Sequence, residues 1–302
     1  MPNVSPVSCV VLNWNGLQDT RECLDSLKNV TYPALRVIVV DNGSENDEAA
    51  VIRDEFGDFA ELIEANENRG FAGGANLGIR RALEGDCDYV LLLNNDTVVD
   101  PEFLTELVEG VETMQPGVAA ACPTTYFYDR RDVIYSTGGR YSLWRGSARQ
   151  IGREKRESGR ERPIAERDYA DGVCMLIPRL ALERLGMLDE DYFSYWEETD
   201  WCARARSTGM RCYHVPKAKI WHKAARSQDP DPRFQYLYRR NALLFVRKRG
   251  NPLQFVTALL THVFYFGPLY LLKHPTKIGR VIPEFKALIW HGSNRKSDRP
   301  LV

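Results

Sequence analysis

Two short stretches hold side chains equipped for chemistry. In YVLLLNNDTVVDP (89–101) an apolar run stops at two amides and a carboxylate, Asn94, Asn95 and Asp96. A strand buried on both faces has no use for such an end unless something polar lies beyond it. In YWEETDWCARARSTG (195–209) the spacing of Cys202, Ala203 and Ala205 predicts a helix whose first turn carries Glu197, Glu198 and Asp200. The helix dipole favours acids there, which is a sufficient structural reason for them. It does not explain why three acids stand beside two aromatics, Tyr195 and Trp196, whose flat faces can hold a ligand ring.

The elements that position these groups follow from periodicity. VSCVVL (7–12), RVIVV (36–40), AELIEA (60–65) and YVLLL (89–93) read as short buried strands. Between them, Leu17, Leu24 and Leu27 suit one helix, and Ala72, Ala75, Ile79, Ala82 and Leu83 another. After Asp96, Asp100 is expected to cap a helix with Pro101 at its first position and Leu104, Leu107, Val108 and Val111 on one face. The alternation predicts an α/β fold, a Rossmann-like, mostly parallel sheet with helices on both faces. Each strand ends in polar residues: Asn13 and Asn15 around Trp14, then Asp41 to Ser44, NENRG (66–70) and Asn94 to Asp96. Turn chemistry explains each of these alone. Together they point to one crevice, since strand ends of a parallel sheet line up along one edge.

Composition bounds the rest. With 302 residues, 44% apolar and 11% aromatic, the chain is expected to form one large domain or one and a half. Its net charge of −1 hides an asymmetry: residues 233–302 carry 13 Lys and Arg against Glu284 and Asp298, a net of +11 against −12 for the remainder. Seven cysteines without a C-x-x-C pair favour packed, reduced thiols, and the N-terminus lacks a cationic head followed by an apolar signal region. The charged stretch RQIGREKRESGRERPIAERD (149–168) reads as a mobile loop beside the site or as a solvated insertion. LQFVTALLTHVFYFGPLYLL (253–272) is nearly long enough to span a bilayer but is interrupted by polar residues, Gly267 and Pro268. We expect an interfacial helical pair on anionic lipid, with a subunit interface as the alternative and a transmembrane span as the lesser one. No nucleic-acid motif accompanies the basic tail.

VVLNWNG, VVDNGS, ENRGFAGGANLGI, LLLNNDTVVDP, DGVCMLIPR and DEDYFSYWEETDWCARARSTGM, in this order, resemble the family-two inverting glycosyltransferases of the GT-A fold over residues 7 to about 250. The likeness is greatest to the rhamnosyltransferase-like and galactofuranosyltransferase-like branches. It implies a GT-A domain over 1–250, with a nucleotide-sugar-binding half (1–125) and an acceptor and catalytic half (126–250), followed by a basic, apolar helical extension (251–302). It assigns the donor to Asn13, Trp14, Asn15, Asp41, Asn68, Arg69, Gly73, Asn76, Asn94, Asn95 and Asp96, with Trp14 stacked on the base and Gly73 and Gly74 letting a backbone or a pyrophosphate come close. The acceptor falls to Asp171, Gly172, Tyr195 and Trp196, and a divalent metal, Mg2+ or Mn2+, to Asp96 and His222. The family's Asp-x-Asp is altered here, Asn94 taking the first place. The base is implied at Glu198, where Asp is usual, which leaves Glu197 and Asp200 as rivals. The expected activity moves a sugar, with dTDP-rhamnose as the guess, to a glycan or lipid-linked glycan at the cytoplasmic face of the cell membrane, and a homodimer stays open. Two other readings remain: a nucleotide-sugar-binding protein that has lost transfer, and a sugar-nucleotide pyrophosphorylase, for which NWNGLQDT (13–20) is a poor triphosphate loop.

Overall fold

The apolar runs form strands where the sequence places them: β1 (Val7–Asn13), β2 (Leu35–Asp41), β3 (Ala60–Glu64) and β4 (Tyr89–Asn94). The computed structural model describes residues 4–114, 116–159, 162–224, 232–266, 286–287 and 290–291. β1 pairs in parallel with β2 and β4, and β2 with β3. The crossovers run through α1 (Leu17–Leu27), α2 (Glu48–Phe56) and α3 (Gly70–Glu84). Alternate strand residues enter two cores: Cys9, Val11, Val39 and Leu91 on one face, Val10, Ile38, Val40 and Leu92 on the other. Continuous apolar strands are thus explained by burial on both sides.

α3 lies close on β1, which is what its small residues serve. A Cβ at Gly78 would come within 2.2 Å of Val10 Cγ1, and one at Gly74 within 2.5 Å of Leu12 Cδ1. A Cβ at Gly73 would meet the Arg69 side chain at 2.8 Å, so there too the missing side chain admits a close neighbour.

The second half adds β5 (Thr97–Val99), α4 (Phe103–Met114), β6 (Val118–Phe127), β7 (Ile134–Ser136), β8 (Gly139–Ser142), β9 (Ser147–Gln150), β10 (Ala165–Arg167) and β11 (Cys174–Pro178). Then come α5 (Arg179–Leu185), α6 (Glu197–Ser207), β12 (Arg211–His222), α7 (Pro232–Arg249) and α8 (Pro252–Thr261). The sheet order is β10-β12-β6-β11-β4-β1-β2-β3, with β5 on β12 and β7 on β6. Antiparallel β11, set between β4 and β6, makes the sheet mixed. Asp100 accepts from Glu102 N at 3.0 Å as a cap, although α4 begins at Phe103, two residues later than expected.

Two expectations need correction. The stretch 149–168 is not a free loop. It takes in the last two residues of β9 and the whole of β10, and Lys155 O and Glu154 N bond Ile134 of β7 at 2.8 and 2.9 Å. The boundary at 250/251 coincides with the N-cap of α8, where Asn251 and Gln254 form a reciprocal capping box, but the core continues across it. Ala258 is buried with Tyr192, Trp196, Leu243 and Phe245 in a third cluster. Among the described residues no helix is long and apolar enough to cross a membrane, and residues 267–272 of the apolar stretch and most of the basic extension lie outside them. All seven cysteines are buried free thiols, and burial pushes Cys23 and Cys122 up to about 12.

Candidate active site

Strand register brings the first pair of groups together. β5 runs antiparallel to β12 with Thr97 opposite His222, and Lys223 N donates to Asp96 O at 2.9 Å. His222 Nε2 therefore lies 3.1 Å from Asp96 Oδ1, although the two are far apart in the chain. Burial pushes the Asp96 carboxyl up, but its hydrogen bond and charge contact with His222 outweigh this and hold it below the usual carboxylate range. Beside them, Asn94 Oδ1 and His222 Nδ1 are buried with no hydrogen-bond partner among the described residues. Such orphans are rare and point to a missing ligand. A carboxylate, an amide oxygen and an imidazole fit a divalent cation, with the imidazole favouring manganese over magnesium. Among the described residues no three His, Cys, Asp or Glu converge, so further oxygens would have to come from substrate.

These groups line a cavity of about 910 Å³, shared with Asp171, Gly172, Tyr195, Trp196, Glu197 and Glu198. The acids are presented by a strained turn. Phe193, Tyr195 and Trp196 have φ of 63°, 70° and 77°, a left-handed backbone that bulky residues adopt only under constraint. The constraint is Asn241 of α7, fully buried, whose Nδ2 donates to the carbonyls of Tyr192, Ser194 and Tyr195 at 2.8 Å each. Arg240 adds bonds to Asp191 O at 2.7 Å and Tyr192 O at 3.0 Å. Trp196 rests on Phe245 and Tyr238, at 5.3 and 5.7 Å between ring centroids, and Tyr195 meets Tyr238 at 6.0 Å. Trp196 Nε1 has no partner among the described residues, leaving a donor on this aromatic wall.

The three acids separate by environment. Asp200 is fully buried, accepting from Arg249 at 2.7 and 3.0 Å and from Tyr192 OH at 2.8 Å, with Arg204 Nε at 3.3 Å. It faces away from the cavity and is no base, which corrects its candidacy. Glu198 is half-buried and accepts from Thr199 Oγ1 at 3.1 Å. Burial and the neighbouring Asp171 raise its carboxyl to about 7. Glu197 is buried with Oε2 unpartnered among the described residues, and burial followed by the charge of Glu198 pushes it well above the carboxylate range. Asp171 is fixed by Gln150 Nε2 at 2.8 Å and Val173 N at 3.1 Å, and a Cβ on Gly172 would sit 3.3 Å from Glu198 Cγ.

The donor candidates divide. Trp14 and Asp41 lie at the carboxyl ends of β1 and β2, outside the cavity wall. Asn13 is spent on scaffold: its Nδ2 reaches Asp41 at 2.8 Å, Glu48 at 2.9 Å and Ser44 at 3.1 Å, while its Oδ1 accepts from Thr20. Asn95 turns to Thr20 at 2.9 Å, and Asn15 Oδ1 accepts from Glu45 N at 2.8 Å. Asn76 is buried, bonded to Leu188 O and Glu190 at 2.9 Å, where it pins the approach to the acidic turn instead of meeting a nucleotide. Asn68 Oδ1 accepts from Gly70 N at 2.7 Å and Asn42 at 3.1 Å, and the Arg69 side chain beside it is exposed. Sequence reasoning missed Tyr135, Gln150, Arg153 and Tyr238 in the wall and Asn241 behind it. For Arg153 the charged stretch was a signal; a lone Asn in a basic helix is none.

The Glycosyl transferase family 2 model matches residues 8–186. The low-salt glycan biosynthesis hexosyltransferase Agl10 of Haloferax volcanii is 28% identical over 201 residues, 66% of this chain and 61% of that protein, so the match spans less than two thirds of that relative. The N-acetylglucosaminyl-diphospho-decaprenol L-rhamnosyltransferase of Mycobacterium tuberculosis is 27% identical over 254 residues, 77% of this chain and 80% of its own. Among solved structures, the mannosyltransferase PcManGT of Pyrobaculum calidifontis, in complex with GDP-Man and Mn2+, superposes with a TM-score of 0.60 at 16% identity, covering 97% of this chain and 77% of its own. The fold is thus that of GT-A enzymes, and the chain belongs to glycosyl transferase family 2.

Proposed function

We propose that the chain transfers a sugar with inversion from a nucleotide diphosphate, dTDP-rhamnose being the first choice, to a hydroxyl of a glycan, most simply a lipid-linked one. The observation that carries this is the placing of Glu198, a carboxylate tuned to about 7, in the same cavity as Asp96 and His222. Glu198 takes the proton of the acceptor hydroxyl as its oxygen bonds to the anomeric carbon, while the bond to the diphosphate breaks with both electrons leaving on the diphosphate oxygen. Asn94, Asp96 and His222 would hold the divalent cation, which supplies charge neutralisation for that leaving group. The aromatic wall of Tyr195, Trp196 and Tyr238 holds the acceptor sugar. The rhamnosyl choice is supported by the name of the mycobacterial relative. Thermal unfolding against a panel of nucleotide sugars with Mn2+ tests the donor, because a ligand of the native state raises its stability by mass action. One sugar nucleotide is expected to stand out by several degrees. No stabilisation by any of them, with no transfer, sinks the proposal.

The same reading puts the enzyme on the inner face of a membrane. Leu253, Val256, Leu260 and Phe264 are exposed at helical spacing, and His262 Nε2 bonds Gly146 O at 2.8 Å, so the hairpin tip with exposed Trp144 sits alongside. Replacing Trp144, Leu253 and Val256 by Ser is expected to weaken binding to anionic vesicles at least tenfold without unfolding the chain, since these side chains are exposed. Vesicle binding equal to wild type at matched salt would instead favour a dimer through this face, which sedimentation reads directly.

A further inference from the structure

The cavity carries a cation that the proposed mechanism does not use. Arg149 and Arg153 line it, together with four acids, Asp96, Asp171, Glu197 and Glu198. Arg130, stacked on Phe127 at 4.3 Å, is neutralised by Glu154 at 2.8 Å. Arg153 stacks on the same ring at 5.3 Å and on Tyr135 at 4.5 Å, yet among the described residues no carboxylate pairs with it. Its Nη1 donates to Gln150 Oε1 at 2.6 Å, and Gln150 is itself held by Asp171. Tyr135 in turn lies 4.7 Å from the His222 ring, so the Arg153 guanidinium is within about 9 Å of that imidazole.

We infer that Arg153 is an anion-reading residue whose guanidinium contacts a substrate diphosphate lying against Asp96 and His222. This rests on the transferase reading of the cavity. A diphosphate entering beside the Asp96 and Asp171 carboxylates, with Glu197 and Glu198 close by, needs compensating charge, and Asn94 keeps the site one negative charge below an Asp-x-Asp pair without adding a positive one. Arg153 supplies it from a planar group with donors to spare, already fixed by two rings and one amide, so little freedom is lost on binding. Arg153 is exposed, yet these contacts fix its guanidinium at the cavity wall, and unlike Arg130 it has no carboxylate among the described residues to neutralise it.

Two substrates carry this chemistry, the nucleotide donor and a prenyl diphosphate-linked acceptor, and binding distinguishes them. The probes are inorganic pyrophosphate, UDP, dTDP and farnesyl diphosphate, titrated calorimetrically into the full chain with Mn2+. Arg153→Ala is expected to weaken pyrophosphate about 10- to 100-fold, the loss of a charge-assisted contact, and Arg153→Lys to recover part of it. Arg130→Ala, already paired elsewhere, leaves affinity unchanged. A parallel loss for the nucleotides alone identifies the donor diphosphate, and a loss for farnesyl diphosphate alone identifies the acceptor. Wild-type affinity of Arg153→Ala for all four probes, or no pyrophosphate binding by the wild-type chain, overturns the inference. Failure of every nucleotide sugar to bind while pyrophosphate still depends on Arg153 would instead strike the proposed function.

Discussion

Glu198→Gln is expected to lower transfer about 100- to 10,000-fold, leave donor affinity intact and make the folded chain more stable. The three effects come from one cause. A carboxyl raised to about 7 is costly to ionise where it sits, so the folded state holds its proton to higher pH than the unfolded chain does. Stability contributed by the protonated form is therefore present below about pH 4 and is lost as pH rises towards 7. Above pH 7 the ionised Glu198 destabilises the fold, and Gln removes that cost, about 1 to 3 kcal/mol once partial exposure is allowed for. The wild-type rate should rise with pH through about 7, because only the carboxylate accepts a proton. Glu197→Gln is the informative neighbour: burial favours its neutral form, which Gln imitates, so the rate should change little. Asp200→Asn is expected to fail by unfolding, since it leaves Arg249 and Arg204 beside a buried amide, about 3 to 5 kcal/mol for a broken buried pair. Transfer retained by Glu198→Gln and abolished by Glu197→Gln, with both variants folded, would move the base by one residue.

The strands and the edge on which the site lies were legible because burial on two faces writes an uninterrupted apolar run, and the run stops where polar partners begin. Asn13, Asn76, Asn95 and Asp200 show the limit. Each has a side chain that could meet a substrate, and each is consumed by a partner remote in sequence. Residue type announces hydrogen-bonding capacity, whereas the partner depends on packing of elements that periodicity does not orient. The same holds for α7. Its arginines read as a docking charge, yet Arg240 is buried against backbone carbonyls and the half-buried Arg249 is paired with the buried Asp200, so part of the basic tail's charge is internal structure. Asn241 had no legible signal, because its role exists only where three carbonyls of the turn, those of Tyr192, Ser194 and Tyr195, converge on it.

Asp96→Asn is expected to lower Mn2+-dependent binding of pyrophosphate or nucleoside diphosphate about 100-fold, with little change in binding of the nucleoside alone. The substitution keeps shape, and the backbone bond from Lys223 N to Asp96 O does not involve the side chain, so β5 and β12 should stay paired. What goes is the formal negative charge of the Asn94, Asp96 and His222 set. Asn94 brings an amide dipole without charge, and His222 must be neutral to donate a lone pair, so charge lost at Asp96 has no substitute within the set. His222→Gln retains a polar group but loses the imidazole and should weaken Mn2+ about tenfold, with a smaller effect on Mg2+, for which nitrogen is a poorer ligand. Asn94→Asp should act in the opposite direction and tighten Mn2+, because it restores the charge that the strand end lacks. Electron paramagnetic titration of Mn2+ reads all three variants without any turnover. Unaltered Mn2+ affinity in Asp96→Asn and His222→Gln alike would place the cation elsewhere, and the orphaned Asn94 Oδ1 would then need a direct substrate hydrogen bond as its partner.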